Sequence, residues 1–208
     1  MNDCYIPLEE TQQLTRRALE IVAHHRFPVH IITKGTLVLR DIDLLKKISS
    51  IYAAVSITIT TTNDELARKI EPFAPPPSER LRVIKQLREA GIYAGITFMP
   101  LLPFITDTKA NINQLVAAAR EADAAYILAA MGMTNREGQR DYFYQQLDKQ
   151  FPGIKEKYIA TFGDKYNCPA PYANQLWKHF TQRCQVLNIP IRMRFYNPNP
   201  HKQLGLFE

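Results

Sequence analysis

The chain has 208 residues, of which 46% are hydrophobic and 22% are charged, and its formal net charge is +6. These values are typical of an ordinary globular protein that buries one good core. No apolar run approaches the roughly 20 residues of a membrane helix, and no basic-then-apolar signal pattern begins the chain, so we expect a cytoplasmic protein. The three scattered cysteines, Cys4, Cys168 and Cys184, argue against a disulfide framework.

The first two thirds of the chain repeat one unit, in which a helix is followed by a short apolar strand and a polar loop. The predicted strands are "FPVHIITKG", "AAVSITITTT", "IYAGITFMPLLP" and "AAYILAAMGM". Helical stretches separate them, and alternation of this kind predicts right-handed crossovers and a parallel sheet. Four strands at roughly 30-residue spacing favour an α/β fold with a partial (β/α) barrel. A flat doubly wound sheet is the alternative, but no Gly-rich dinucleotide loop follows any strand.

The pattern changes in the last third. We predict a barrel domain over 1–133, a helical appendage of three helices without strands over 134–196, and a flexible tail over 197–208. Most of the excess positive charge lies after residue 132, together with many aromatic residues. Such a surface suits phosphates and stacked bases, although a solvated charged face has the same composition.

Polar residues gather where a parallel barrel places its active site, at the C-terminal ends of the strands. Lys34 is the most informative of them, because an ammonium beyond an apolar strand is costly unless it meets an anion. It could bind a carboxylate or phosphate, or form a Schiff base. The other candidates at these ends are polar or soft side chains of the loops and strands: Asp3, Tyr5, Thr33, Ser56, Thr58 and Met99.

Several stretches together resemble the radical S-adenosylmethionine proteins related to spore photoproduct lyase. They are "DCYIPLEE", "LTRRALEIV", "FPVHIITKGTLVLRDIDLL", "VSITITTTNDELARKIEPFAPPPSERL", "AGIYAGITFMPLLP" and "FPGIKEKYIATFG". The resemblance covers nearly the whole chain, and the run "TKGTLVLRDIDLL" followed by "EPFAPPPSERL" is its most specific part.

The resemblance implies a partial barrel that binds S-adenosylmethionine against a 4Fe-4S cluster, whose reductive cleavage of the cofactor yields a 5′-deoxyadenosyl radical. In the namesake enzyme the radical reverses a thymine-dimer lesion in DNA. By position, Lys34 is similar to the family residue that meets the cofactor carboxylate, and Ser56 to one that contacts its amino acid or ribose part. The "DCYIP" loop, with Asp3 and Tyr5, would lie close by.

The chain departs from the family pattern in two places. Cys4 stands where the family loop usually has proline, and the family's Cys-x3-Cys-x2-Cys cluster motif is absent from the sequence. The resemblance places that motif upstream, so we expect Met1 to be an internal methionine and the chain to be the C-terminal part of the enzyme. Alone it would then lack the thiolates that an iron–sulfur cluster needs.

The end of the sequence reads "QLGLF", which resembles the pentapeptide that docks bacterial DNA repair and replication proteins on the sliding clamp. Leu204, Leu206 and Phe207 would be apolar anchors and Gln203 the polar specificity contact. Folding of the tail back onto the barrel is the alternative.

The sequence therefore predicts part of a radical S-adenosylmethionine enzyme that acts on nucleic acid, with DNA repair as its role. Arg80, Arg136 and Arg140 are candidates for phosphate contacts. Two alternatives stay open, namely a Schiff-base aldolase-like barrel that uses Lys34 and a non-enzymatic module that binds DNA or the sliding clamp.

Overall fold

A computed structural model describes residues 3–198 of the chain. Its centre is a four-stranded parallel sheet with the strands in chain order, β1 (Val29–Thr33), β2 (Ala53–Thr58), β3 (Tyr93–Phe98) and β4 (Ile127–Ala129). In the register, Ile32 pairs with Ser56 and Ser56 pairs with Gly95. The predicted α/β fold with parallel crossovers is confirmed.

Helices precede and connect these strands, and they pack on the convex face of the sheet. They are α1 (Glu9–Gln12), α2 (Leu14–His24), a 3-10 helix (Thr36–Asp41), α3 (Ile42–Ser49), α4 (Asp64–Ile70), α5 (Pro77–Glu89) and α6 (Lys109–Glu121). Capping residues determine where several helices begin. The side chain of Asn63 accepts hydrogen bonds from the first turn of α4, that of Thr108 accepts one from the first turn of α6, and α5 begins with proline.

The two faces of β2 differ in chemistry although all six residues of the strand are buried. Val55 and Ile57 belong to the apolar core that the sheet shares with the helices, including Leu45, Ile84 and Leu115. The alternate residues of β2 face the concave side, because side chains along a strand alternate between faces. This side carries the polar groups of the sheet.

The last third contains a second sheet that the sequence reasoning did not predict, since it took 124–133 as one strand and expected helices alone over 134–196. The strands β5 (Gly132–Thr134) and β6 (Asn167–Pro169) form an antiparallel pair among the helices α7 (Glu137–Gln150), α8 (Ile154–Phe162) and α9 (Ala173–Val186). Each strand has only three residues, which is too short for an alternating pattern to show.

The region 134–196 is also not one unit in space. Helix α9 packs on α6, and the ring of Phe180 lies 6.2 Å from that of Phe98 in β3, centroid to centroid. Helices α7 and α8 instead share a second small core around Leu147, Tyr158 and Phe162. The structure therefore joins α9 to the barrel and leaves α7–α8 as the appendage.

No helix of the described part is both long enough and apolar enough to cross a membrane.

Candidate functional site

The loop before α1 is fastened to the C-terminal end of β1 by Asp3. Its carboxylate accepts hydrogen bonds from the backbone N–H groups of Tyr5 at 2.9 Å and Lys34 at 2.7 Å, and from the Thr33 hydroxyl. The Thr33 oxygen in turn accepts from the N–H of Gly35 at 2.8 Å. Asp3 and Thr33 therefore hold the loop on the strand end, where sequence reasoning had expected contacts to a ligand.

Tyr5 is also turned inward. Its side chain is buried and its hydroxyl donates to Asp41 Oδ2 at 3.0 Å, and burial together with the Asp41 charge raises the pKa of the phenol. Asp41 is fully buried and accepts from Arg16 and Arg40, which also binds the buried Glu9 at 2.7 Å. The sequence reasoning missed this charge cluster, because its members are far apart in the chain.

Lys34 lies at the mouth of the sheet, as predicted. Its Nζ is 3.1 Å from Glu71 Oε1, and 37% of its side-chain surface is exposed to solvent. It lines an open cavity of about 820 Å³ together with Asp3, Glu71 and the fully exposed ring of Phe73. Lys34 is therefore a cation at the C-terminal edge that a ligand can reach.

Arg80 has a different place from the one expected. It is 1% exposed, with Nε donating to the Pro75 carbonyl at 2.6 Å, one terminal nitrogen donating to the Thr58 carbonyl at 2.9 Å, and the other 2.8 Å from Glu71 Oε2. A guanidinium enclosed in this way cannot reach a DNA phosphate, so the assignment of Arg80 to phosphate contact is corrected. Its role is to hold the segment that carries Glu71.

A row of hydrogen bonds crosses the concave face at the level of Ser56. The Ser56 hydroxyl lies 2.8 Å from His30 Nε2 and 2.7 Å from the Tyr126 hydroxyl, which reaches the Val55 carbonyl at 3.3 Å. Donation from Nε2–H to Ser56, from Ser56 to Tyr126 and from Tyr126 to the carbonyl satisfies every hydroxyl hydrogen. Gly95 makes this row possible.

Burial shapes the chemistry of this row. Ser56 is fully buried, so the structure does not open it to a cofactor as the resemblance implies. Burial raises the pKa of Tyr126. The surface of His30 is largely exposed on the concave face, but its Nε2 is turned toward the buried Ser56, and this partial desolvation lowers the pKa of the imidazole. Sequence reasoning missed His30 because it shows no metal-type or triad spacing.

The remaining predicted contacts divide between buried and open positions. Thr58 is nearly buried and its hydroxyl pairs with that of Thr97 at 3.0 Å. Met99 lies at an open, mostly apolar cavity of about 580 Å³ beyond β3 and β4. Arg136 is exposed at the start of α7, whereas Arg140 is half-buried and paired with Asp164 at 2.8 Å. The clamp-like Gln203, Leu204, Leu206 and Phe207 lie outside the described residues.

The cysteines do not fit an iron–sulfur cluster, which needs several thiolates around one point. Cys168 and Cys184 are buried in separate cores, and burial raises the pKa of both thiols, that of Cys184 to about 12. Burial and the Asp3 charge raise the pKa of Cys4 to about 11. Within residues 3–198, no group of three or more His, Cys, Asp or Glu could hold a metal ion.

Comparisons with known proteins agree with this architecture. An uncharacterized protein of Methanocaldococcus jannaschii is 38% identical over 114 residues, which cover 55% of this chain and 43% of that protein. One of Mycobacterium tuberculosis is 28% identical over 150 residues, 72% of this chain and 44% of its own length. The chain thus spans less than half the length of these relatives.

A mutant of spore photoproduct lyase is similar in fold, with a TM-score of 0.64, 13% identity, and coverage of 86% of this chain and 54% of that one. The model of the radical SAM superfamily matches residues 7–116, which run from the loop after Asp3 into α6 and include Lys34. The chain belongs to the radical SAM superfamily.

Proposed function

We propose that this chain supplies the S-adenosylmethionine-binding sheet of a radical enzyme similar to spore photoproduct lyase, and that the enzyme acts on nucleic acid. The observation that carries the proposal is the position of Lys34. Its ammonium stands at the C-terminal edge of the sheet, inside the region that matches the superfamily and beside an open cavity. The substrate edge of parallel (β/α) folds lies there.

The residues around Lys34 suit the carboxylate end of the cofactor. A flexible ammonium can turn from Glu71 toward a second carboxylate, which it would meet as a point charge. Asp3 holds the backbone of Lys34 in place through the 2.7 Å hydrogen bond, so that the side chain leaves the strand from a fixed point. His30 offers a further exposed polar contact on the same face.

The iron–sulfur cluster that gives this superfamily its radical chemistry does not fit the cysteines of the described residues. We propose that its thiolate ligands come from outside this sequence, in keeping with the greater length of the relatives. The part of this chain would be to bind and orient S-adenosylmethionine and the substrate. Superfamily membership supports the cofactor assignment of Lys34 over the Schiff-base aldolase alternative.

Isothermal titration calorimetry with S-adenosylmethionine tests the cofactor assignment on the chain itself, without the cluster. We expect binding by the wild-type chain and at least a tenfold loss in Lys34→Ala, because about 1.5–3 kcal/mol is typical of a charge-assisted hydrogen bond. Lys47→Ala is the matched control, since it removes an exposed lysine from α3 on the other side of the sheet. Equal affinity in both variants, or no binding by any form, would refute the assignment.

A nucleic-acid substrate is supported by the fold of spore photoproduct lyase and by the charge of the last third of the chain. Fluorescence anisotropy with labelled single-stranded and duplex DNA measures this directly. We expect affinity that falls steeply with salt, by a slope of about 0.7 per phosphate contact on single strands. Absence of any salt-sensitive binding would exclude nucleic acid and leave the cofactor assignment intact.

A further inference from the structure

A second cavity, of about 500 Å³, lies away from the sheet edge, against the appendage. The end of α4, the loop around Leu102 and Ile105, strand β5 and one face of α7 enclose it. Only Pro72 is shared between this cavity, which we call the appendage pocket, and the one at Lys34. Its volume is in the range of pockets that hold small ligands.

The appendage pocket is positively charged. Three cationic side chains line it, Arg68 and Lys69 from α4 and Arg136 at the start of α7, and no aspartate or glutamate does. Among the described residues, none of the three forms an ion pair with a carboxylate. Like charges gathered around a cavity repel one another, and an anionic ligand would relieve that repulsion.

Helix α7 turns amides and aromatic rings toward the same space. Gln139, Phe143, Gln146 and Gln150 follow one another at helical spacing and all line the appendage pocket. Tyr142 stands beside them with 65% of its surface exposed. Amide groups can bind the edge of a base in two places, and tyrosine or phenylalanine rings can stack on its face.

Asn135 adds a buried amide to the lining of the pocket. It lines the cavity, is 3% exposed, and its Nδ2 has no hydrogen-bond partner among the described residues. Burial raises the pKa of the nearby Tyr144 hydroxyl, and an interaction with the Asn135 side chain partly offsets this rise. Leaving a buried donor unpaired costs about 1–3 kcal/mol, so the site suits a ligand that carries an acceptor.

We propose that the appendage pocket receives one unstacked nucleotide of a single-stranded or locally opened nucleic acid. Arg68, Lys69 and Arg136 bind its phosphates, the rings of Tyr142 and Phe143 pack on the base, and the amides of α7 contact the base edge. This inference rests on the nucleic-acid substrate proposed above and adds the place and the form in which the strand is held.

The test is anisotropy with a short labelled single strand, on Tyr142→Ala and Arg136→Ala. Stacking on one ring is worth about 1–3 kcal/mol per base, so we expect Tyr142→Ala to bind at least about fivefold more weakly. Arg136→Ala is expected to lower the salt slope by about 0.7. Tyr172→Ala and Lys149→Ala are matched controls, since Tyr172 is 67% exposed outside the pocket and Lys149 is on α7 but does not line it.

A strand made of abasic sites distinguishes contacts to the base from contacts to the phosphates, because it keeps the phosphates and lacks the bases. The loss in Tyr142→Ala should disappear on that strand, whereas the loss in Arg136→Ala should remain. Binding by the wild-type chain with equal affinity in all four variants would overturn the pocket and leave the nucleic-acid substrate standing. Failure of the wild-type chain to bind any strand would overturn both, while calorimetry with S-adenosylmethionine would still report on the cofactor.

Discussion

Gly95 shows how one residue determines the chemistry of the concave face. A Cβ at this position would lie 2.6 Å from Cδ2 of Tyr126 and 2.6 Å from its carbonyl oxygen. Both atoms belong to groups that cannot move aside cheaply, a packed ring and a strand backbone. The missing side chain thus lets Tyr126 cross β3 and reach Ser56 in β2.

We expect Gly95→Ala to lower the free energy of unfolding by about 1–3 kcal/mol, the usual effect of overpacking a core. Gly138→Ala is the matched control, because a Cβ there meets nothing within 4 Å and alanine favours the helix by about 1 kcal/mol. Urea denaturation measures both. A Gly95→Ala chain as stable as wild type would show that the ring of Tyr126 is not fixed.

His30 should make stability depend on pH. Burial lowers the pKa of its imidazole below 6.5 in the folded chain, so the unfolded chain binds the proton first as the pH falls. The contribution of His30 is therefore present above pH 6.5 and is lost as the pH falls through the folded pKa. His30→Gln should show a smaller loss of stability than wild type between about pH 7.5 and pH 5, and equal losses would contradict the assignment.

At the scale of elements, a charge cluster joins four parts of the chain that the sheet does not connect. Asp41, at the end of the 3-10 helix, binds Arg16 of α2, Arg40 and Tyr5 of the first loop. Arg40 extends the cluster to Glu9 of α1. The cluster thereby fixes the loop that Asp3 attaches to the end of β1, and with it the backbone of Lys34.

Asp41→Asn should lower the free energy of unfolding by about 1.5–3 kcal/mol, since the fully buried carboxylate would lose the charge of its hydrogen bonds to the partly buried Arg16 and Arg40. Asp43→Asn is the matched control. The Asp43 carboxylate also pairs with Arg16, whose terminal nitrogen lies 2.9 Å from Oδ2, but the Asp43 side chain is 52% exposed. An exposed pair contributes about 1 kcal/mol or less. Thermal and urea unfolding compare the two variants, and similar effects would mean that the buried cluster contributes no more than a surface pair.

For the molecule as a whole, the two separate hydrophobic cores predict that the barrel and the appendage unfold as two different cooperative units. Phe180 of α9 belongs to the core of the sheet, whereas Leu147 of α7 belongs to the core of the appendage. We expect Phe180→Ala to speed amide exchange in β3 and α6, and Leu147→Ala to speed it in 137–169 alone. Hydrogen exchange with mass spectrometry measures both. Exchange that rises throughout the sheet in Leu147→Ala would mean one cooperative unit.

The sequence was informative wherever a local pattern decides the structure. Repeated apolar strands and helices predicted the parallel sheet, and the position of Lys34 after β1 predicted its place at the edge. Contacts between residues that only the folded chain brings together could not be predicted from the sequence, and Arg80 is an example. An arginine in a polar helix has the pattern of a surface residue, and only the approach of Thr58 and Pro75 buries it.

The contact between Gly95 and Tyr126 also has an evolutionary consequence. The two positions depend on each other, since a side chain at 95 is tolerated only where residue 126 has lost its ring. Among homologues we expect substitutions at these two positions to occur together, and residue 56 to lose its hydroxyl in the same lineages. The close approach of 2.6 Å between a Cβ at position 95 and Tyr126 should then appear as covariation of these positions in an alignment of homologues.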